Sequence, residues 1–150
     1  MKLTPNFTVE ELSISETATR HGISNDPGPA ELANLLRLAV TLEDVRTLLG
    51  DRPVIVTSGF RAPGVNRLVG GAANSDHPRG LAADFICPGF GSPLQICATI
   101  EKSRAIEFDQ LIFEGTWVHL SVPAQGRQAR QQVLTAYFGA KGTTYLKGLP

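Results

Sequence analysis

Residues 75–85 read SDHPRGLAADF and place His77 seven positions before Asp84. The segment runs from a glycine-rich stretch into small and apolar residues that are typical of a strand. An imidazole and a carboxylate this close in sequence could be a surface pair, or they could be two ligands of one metal ion. The chain has only three histidines, so the positions of the other two help to decide between these interpretations.

A second histidine, His119, lies in the segment TWVHLSV. Side chains alternate along a strand, so His119 shares a face with Trp117, while the apolar residues of the segment take the other face. The apolar face should meet the core, which leaves His119 on the open face of the sheet. Asp84 shares a face with alanine in LAADFIC, and the loop that carries His77 can fold back over that face.

Two imidazoles and one carboxylate from two strands and a loop match the ligand set of a catalytic zinc ion, which keeps one position open for water. Zinc would lower the pKa of that water and polarise a carbonyl group. The two cysteines, Cys87 and Cys97, do not form a CxxC motif, so thiolate ligands are not expected. Two reduced, buried thiols are the favoured interpretation of this pair, with a disulfide as the alternative.

These segments resemble the zinc D-Ala-D-Ala carboxypeptidase family, peptidoglycan metallopeptidases whose fold is shared with the Hedgehog signalling domain. The family motif Ser-x-His-x-x-Gly-x-Ala-x-Asp is matched at Ser75, His77, Gly80, Ala82 and Asp84. Upstream, TSGFR is similar to a strand-end motif that carries an active-site arginine, and downstream WVHLS is similar to the third-ligand strand. With FTVEELSISETATRHG included, the resemblance covers most of residues 7–122.

The resemblance implies a role for each matched position. His77, Asp84 and His119 would bind zinc. Arg61 would hold either the carboxylate of the substrate or the polarised carbonyl oxygen. Ser75 would bind substrate or orient His77, and a serine that only stabilises a turn is the alternative.

The general base is the point at which this sequence departs from the family pattern. Relatives place an acid three residues before the last histidine or a second histidine two residues before it, and here those positions hold Thr116 and Trp117. Glu114 is the predicted base, because a carboxylate near the attacking water must carry its proton to the leaving amine. Asp109 is the reserve. Asp109 and Gln110 are otherwise predicted to brace the ligands, and Trp117 either lines the cleft or packs beside it.

The elements that position these residues can be predicted from the local pattern. Thr8 and Glu11 form a capping box that begins a short helix, and a second short helix ends at Gly22. Apolar residues spaced three and four apart predict a long helix over residues 30–49. RPVIVTSGF predicts a buried strand. Residues 61–80 are predicted to form a long loop, a feature that is often functional.

The second half of the chain predicts more strands and one further helix. LAADFIC forms a strand, Ser92 and Pro93 begin a helix, and FDQLIFE and TWVHLSV form a hairpin through Gly115. Another hairpin joins QVLTAYF and TTYLKGL around GAKG. One long helix, shorter helices and hairpins predict an α+β fold with a largely antiparallel sheet. The resemblance places this fold in the Hedgehog and DD-peptidase class, with the zinc site on the sheet face.

The bulk composition narrows the range of partners. The chain has 150 residues, of which 14 are basic, 14 are acidic and 42% are hydrophobic. These values predict one globular domain over residues 1–150, monomeric and without a separate wall-binding domain. Zero net charge argues against nucleic acid and anionic membranes as partners. No stretch is long and apolar enough for a transmembrane helix, and the N-terminus lacks the apolar run of a signal peptide.

Together with the resemblance, these features predict a zinc-dependent peptidase that hydrolyses a bond in peptidoglycan stem peptides or cross-links. We expect a phage or prophage endolysin, made in the host cytoplasm without a signal peptide. It would reach the periplasm or the wall once the membrane is permeabilised, and cause lysis. The alternatives are a D-Ala-D-Ala carboxypeptidase and a non-catalytic zinc domain that binds wall peptides or a protein.

Overall fold

A computed structural model describes residues 1–150 and contains five α-helices and eight strands. The helices are α1 (Val9–Leu12), α2 (Glu16–His21), α3 (Pro29–Leu48), α4 (Pro63–Leu68) and α5 (Pro93–Ser103). The strands are β1 (Lys2–Thr4), β2 (Phe7–Thr8), β3 (Ile55–Ser58), β4 (Ala82–Ile86), β5 (Gln110–Phe113), β6 (Val118–Ser121), β7 (Gln132–Gly139) and β8 (Gly142–Lys147). A 3-10 turn at His77–Arg79 leads into β4.

Six strands form one sheet in the order β3-β4-β6-β5-β7-β8, so β3 and β8 are its two edges. Neighbouring strands are antiparallel except β5 and β7, which run parallel. β1 and β2 form a separate two-stranded ribbon. Both predicted hairpins are present, β5–β6 and β7–β8. The α+β fold with one long helix and a largely antiparallel sheet is confirmed.

The hydrophobic core lies on one face of this sheet, as the alternation of side chains predicts. In β6, Val118 and Leu120 are fully buried, and their neighbours Ala83 and Phe85 in β4 are buried with them. The helices α3 and α5 supply the rest of this layer through Leu35, Leu38, Ala39, Leu42, Val45, Ile96, Cys97 and Ile100. His119 and Asp84 therefore project from the face opposite the helices.

The helix boundaries follow the sequence signals closely. The Thr8 hydroxyl accepts a hydrogen bond from the Glu11 amide at 3.1 Å, and Ser92 with Gln95 forms a complete capping box at the start of α5. Gly22 ends α2 in the left-handed conformation, where glycine has no steric cost. The long helix α3 lies within one residue of its predicted bounds. None of the helices has the combination of length and apolar character that crossing a bilayer requires.

Two predictions for the region between α3 and β4 are wrong. β3 is an edge strand and not a buried one, and Ile55 is 47% exposed because no strand pairs with its outer side. The predicted long loop is interrupted by α4 and by the 3-10 turn. Its glycines and prolines favoured a loop, but Pro63 occupies the first turn of α4, where its fixed φ and missing N–H suit a helix.

The two cysteines are free thiols, and both are buried. Cys97 packs in the core on α5, and burial raises the pKa of its thiol to about 12. At neutral pH this thiol stays protonated, and a protonated thiol is neither a nucleophile nor a metal ligand. The interpretation of the pair as reduced, buried residues is confirmed.

Candidate metal centre

Asp84 and His119 lie directly opposite each other on the neighbouring antiparallel strands β4 and β6. Directly opposed residues in such a pair point to the same face of the sheet. The Asp84 carboxylate accepts a hydrogen bond from Nδ1 of His119, with a distance of 2.9 Å between Oδ1 and Nδ1. Strand register alone therefore brings two of the three predicted ligands together.

The third residue, His77, reaches this pair from the 3-10 turn that precedes β4. Its Nδ1 lies 2.7 Å from the carbonyl oxygen of Gly59, which can only accept a hydrogen bond, so Nδ1 carries the proton. The other ring nitrogen, Nε2, then faces Asp84 with its lone pair free, at 3.5 Å from Oδ2. A second hydrogen bond of this kind fixes the tautomer and the ring orientation of histidines that ligate metals.

These three side chains form a possible metal site. One ligand atom from each of His77, Asp84 and His119 lies within 4.8 Å of the other two. Tetrahedral zinc with bonds of about 2.1 Å holds its ligands about 3.4 Å apart, close to the 3.5 Å between Nε2 of His77 and Oδ2 of Asp84. The donor set of two imidazoles and one carboxylate, with no thiolate, fits a zinc ion that keeps one position open.

The electrostatics of the cluster favour an ionised carboxylate. Burial acts to raise the pKa of Asp84, but the hydrogen bond from His119 and the other interactions with the two imidazoles outweigh it and hold the pKa well below its usual range. For His119 burial acts to lower the pKa, yet the hydrogen bond to Asp84 prevails and raises it. A buried carboxylate that stays charged near two imidazoles is a strong ligand for a divalent cation.

The peptide group that orients His77 is itself held by the N-terminal helix α1. At Gly59 the backbone comes so close to α1 that an added Cβ would lie 2.2 Å from the carbonyl oxygen of Leu12. The next amide, that of Phe60, donates a hydrogen bond to the same Leu12 oxygen at 2.6 Å. Only glycine permits this approach. The TSGFR segment therefore positions a predicted zinc ligand as well as its arginine.

Arg61 follows this contact and lies beside the cluster. Asn25 brackets it: the Asn25 side chain donates to the carbonyl oxygen of Phe60 at 3.0 Å and accepts from the amide of Ala62 at 2.7 Å. Burial lowers the pKa of Arg61, while the negative charges of Asp84 and Glu114 act in the opposite direction. Its Nε is buried without a hydrogen-bond partner. A buried donor of this kind is costly unless a ligand satisfies it.

Glu114 lies at the β5–β6 turn on the same side of the sheet as His119, and both line one groove. The indole Nε1 of Trp117 donates a hydrogen bond to one Glu114 carboxylate oxygen, and Trp117 packs against Phe138 with ring centroids 6.3 Å apart. Burial raises the pKa of Glu114, and the charge of His119 offsets part of that effect. A raised pKa brings a carboxyl group closer to the range that suits a general base at neutral pH.

The remaining predicted site residues are close by but do not bond to a ligand side chain. The Ser75 hydroxyl accepts a hydrogen bond from the backbone amide of His77 at 3.2 Å, a bond that both stabilises the turn and orients His77, so both alternatives stay open. The carboxylate of Asp109 pairs with Arg130, and the amide of Gln110 bonds to that of Gln132 at 2.8 Å. The predicted bracing of the ligands by Asp109 and Gln110 through direct hydrogen bonds is therefore not seen.

The ion pair of Asp109 gives the first prediction. Hydrogen bonds from Arg130 lower the pKa of Asp109, so its stabilising effect is present above the ordinary aspartate pKa of about 3.9 and is lost as the pH falls through the lowered value. Because Arg130 is 57% exposed, Asp109→Asn should destabilise the fold by only about 0.5–1 kcal/mol at pH 7. Urea unfolding of both proteins at pH 7 and pH 3 measures this difference, which should be smaller at the lower pH.

The same variant tests whether Asp109 only stabilises the fold or also acts as the general base. Peptide hydrolysis by Asp109→Asn should fall by less than about tenfold, whereas the loss of a general base costs roughly two to four orders of magnitude. A loss in the larger range would make Asp109 the base after all.

A groove of about 1070 Å³ runs from His119 and Glu114 across the open face of the sheet. Tyr145 and Lys147 of β8 line it. Burial raises the pKa of Tyr145, and the negative charges of Glu114 and Asp84 add to this effect. Sequence analysis did not identify these two residues or Asn25. The parallel pairing of β5 with β7 brings β8 to the groove, and no local sequence pattern predicts that pairing.

Comparison with known proteins agrees with this geometry. The model of a family described as Peptidase M15 matches residues 5–121. This chain belongs to the peptidase M15 family. The match covers all three possible metal ligands, Arg61 and Glu114, and it ends at the last residue of β6.

One curated relative of this M15 chain is the zinc D-Ala-D-Ala carboxypeptidase of Streptomyces albus G. The two are 39% identical over 110 residues, which make up 73% of this chain and 41% of the relative. The chain thus spans about two fifths of the length of the curated relative that it matches. The predicted family is confirmed. Family membership supports a metallopeptidase with zinc as its cofactor, and the geometry of His77, Asp84 and His119 agrees.

Proposed function

We propose that this M15 protein is a zinc-dependent peptidase that hydrolyses a peptide bond in the stem peptides or cross-links of bacterial peptidoglycan. The observation that carries the proposal is the convergence of His77, Asp84 and His119 on the open face of the sheet. Arg61 and Glu114 lie beside this cluster, where a peptide bond near the metal would meet them. The relative from Streptomyces albus G, named for D-Ala-D-Ala, supports the choice of substrate.

Each side chain around the metal would have a separate task. A bound zinc ion would lower the pKa of water and polarise the carbonyl group of the substrate. Glu114 accepts the proton of the attacking water and delivers it to the leaving amine. Arg61 donates hydrogen bonds to the carbonyl oxygen, where negative charge develops, or to a carboxylate of the substrate. His77 stays in place through its bond to the Gly59 carbonyl oxygen.

The size of the groove favours an endopeptidase over an enzyme that removes only a terminal residue. Its volume of about 1070 Å³ is at the upper end of the range of small-molecule pockets, about 300–1,000 Å³. A terminal dipeptide would fill only part of it. We extend the proposal to an endolysin role, in which a phage or prophage uses the protein to lyse its host from the periplasmic side.

Clearing of a bacterial suspension tests the activity directly. The protein should reduce the turbidity of outer-membrane-permeabilised cells, a chelator should abolish this clearing, and added zinc should restore it. Mass spectrometry of the fragments released from purified peptidoglycan identifies the cleaved bond. A protein that binds one zinc ion per chain but releases no fragment would instead be the non-catalytic binding domain.

A further inference from the structure

A single row of side chains crosses the open face of the sheet from the metal centre to the opposite edge. Strand register pairs its members in turn, Asp84 with His119, Ile112, Leu134 and Lys147. Residues paired in this way point to the same face of a sheet. Neighbouring strands are about 4.8 Å apart, so Lys147 lies about 14 Å from His119, three strand spacings away.

The floor between the two ends of this row is apolar. Ile112, Leu134 and Ala136 form a small buried cluster separate from the main core, and Tyr145 pairs with Ala136 beside it. The groove therefore has a metal centre at one end and a hydrophobic middle.

Two cations that line the groove have no acidic partner. Four basic side chains line the groove, and two of them are neutralised by ion pairs, Arg79 with Asp76 at 3.6 Å and Arg130 with Asp109 at 2.8 Å. The other two, Arg127 and Lys147, make no salt bridge, so the groove carries two positive charges that no acidic side chain neutralises.

Both free cations belong to the part of the chain that follows the family match. That match ends at residue 121, whereas Arg127 lies after β6 and Lys147 ends β8. Arg61 comes directly after β3, at the opposite edge of the sheet. A substrate held at Arg61 on one side of the metal would thus extend across the sheet towards Lys147 on the other side.

We propose that Lys147 binds a carboxylate of an extended peptide substrate, three or four residues to the amino-terminal side of the cleaved bond, and that the charge of Arg127 in the same groove adds to the attraction. An extended peptide advances about 3.3–3.6 Å per residue, so about 14 Å corresponds to four residues, and the long lysine side chain shortens that distance. The aliphatic parts of the side chains between these points would lie on Ile112 and Leu134. The inference rests on the proposed function and specifies its substrate class, an acidic stem peptide of at least five residues.

A pair of synthetic stem peptides, each extended beyond the fifth residue, tests this subsite, because the bond after the fourth residue is then an internal one, as an endopeptidase requires. The two peptides differ at one group, a free α-carboxylate or its α-amide on the glutamate at the second residue, and kcat/KM is measured for each with the zinc-loaded protein. Wild type should prefer the carboxylate by about three- to tenfold, the range for an exposed ion pair with more than one cation. The preference should decrease at 0.5 M salt, where the Debye length is only about 4 Å.

Matched variants assign the preference to the two cations. Lys147→Gln and Arg127→Gln should each reduce it, and the double variant should cleave both peptides at the same rate. Lys141→Gln is the control, because Lys141 lies in the exposed β7–β8 turn outside the groove and should leave the preference intact. Equal cleavage of both peptides by wild type would overturn the inference, as would a Lys147→Gln variant that slows both peptides equally.

The proposed function can fail separately from the subsite. If the zinc-loaded wild type cleaves neither peptide nor purified peptidoglycan, the peptidase proposal is wrong. Calorimetric titration of the same two peptides then measures the subsite by itself. Tighter binding of the carboxylate peptide, lost in Lys147→Gln, would support the subsite, and equal binding would exclude it.

Discussion

Replacing Asp84 by asparagine should abolish stable zinc binding and reduce peptide hydrolysis to the level of buffer alone. Asn has nearly the same shape but no charge, and the carboxylate of Asp84 is the group that both imidazoles face. Changes to groups that only orient ligands already cost roughly 10- to 100-fold in metal affinity, so loss of a ligand should cost at least about 100-fold. Elemental analysis after dialysis gives the zinc content, and release of peptidoglycan fragments gives the activity.

The matched control for this variant is Asp44→Asn. Asp44 is exposed on α3, which packs on the other face of the sheet, so its loss should change neither zinc content nor rate. Circular dichroism of Asp84→Asn establishes that the fold is intact. An Asp84→Asn protein that keeps one zinc per chain and normal activity would rule out the metal centre as described.

Glu114→Gln should keep its zinc and lose about two to four orders of magnitude in rate, the usual contribution of a general base. The amide oxygen of glutamine can still accept the hydrogen bond from Trp117, so the turn should keep its shape. The variant cannot take a proton from water. Steady-state rates on a defined stem peptide, together with zinc analysis of the same sample, measure both quantities.

The pH profile adds an independent check of Glu114. A base must be ionised to act, so activity falls as the pH decreases through its pKa. Burial raises the pKa of Glu114, which moves the acid limb of kcat/KM above the ordinary glutamate value of about 4.3. Glu101→Gln, an exposed acid on α5, should leave rate and profile unchanged. Near-normal turnover by Glu114→Gln would transfer the role to Asp109 or to no side chain.

The face on which two of the ligands lie could be predicted from local rules. Alternation along LAADFIC and TWVHLSV places Asp84 and His119 on the face away from the core. The pairing of β4 with β6, which brings these two residues together, joins positions 35 residues apart and has no local signal. The resemblance to the peptidase family, and not the strand pattern, indicated that His77, Asp84 and His119 form one set.

The parts that could not be predicted depend on long-range pairing. Nothing in QVLTAYF indicates that β7 pairs in parallel with β5, yet this pairing places Lys147 in the groove. The same is true of β3, whose β-branched sequence suits a central strand as well as the edge that it occupies. Asn25 could not be predicted as a site residue, because its hydrogen bonds on either side of Arg61 join residues 35 and 37 positions apart.

Through the contact between Gly59 and Leu12, the orientation of His77 depends on the backbone of α1. A single carbonyl group sets the direction of one imidazole ring, and the backbone of α1 sets the direction of that carbonyl. We therefore expect the affinity for zinc to depend on the folding of the first dozen residues. A chain that lacks these residues would retain every predicted catalytic side chain and should still bind zinc less tightly.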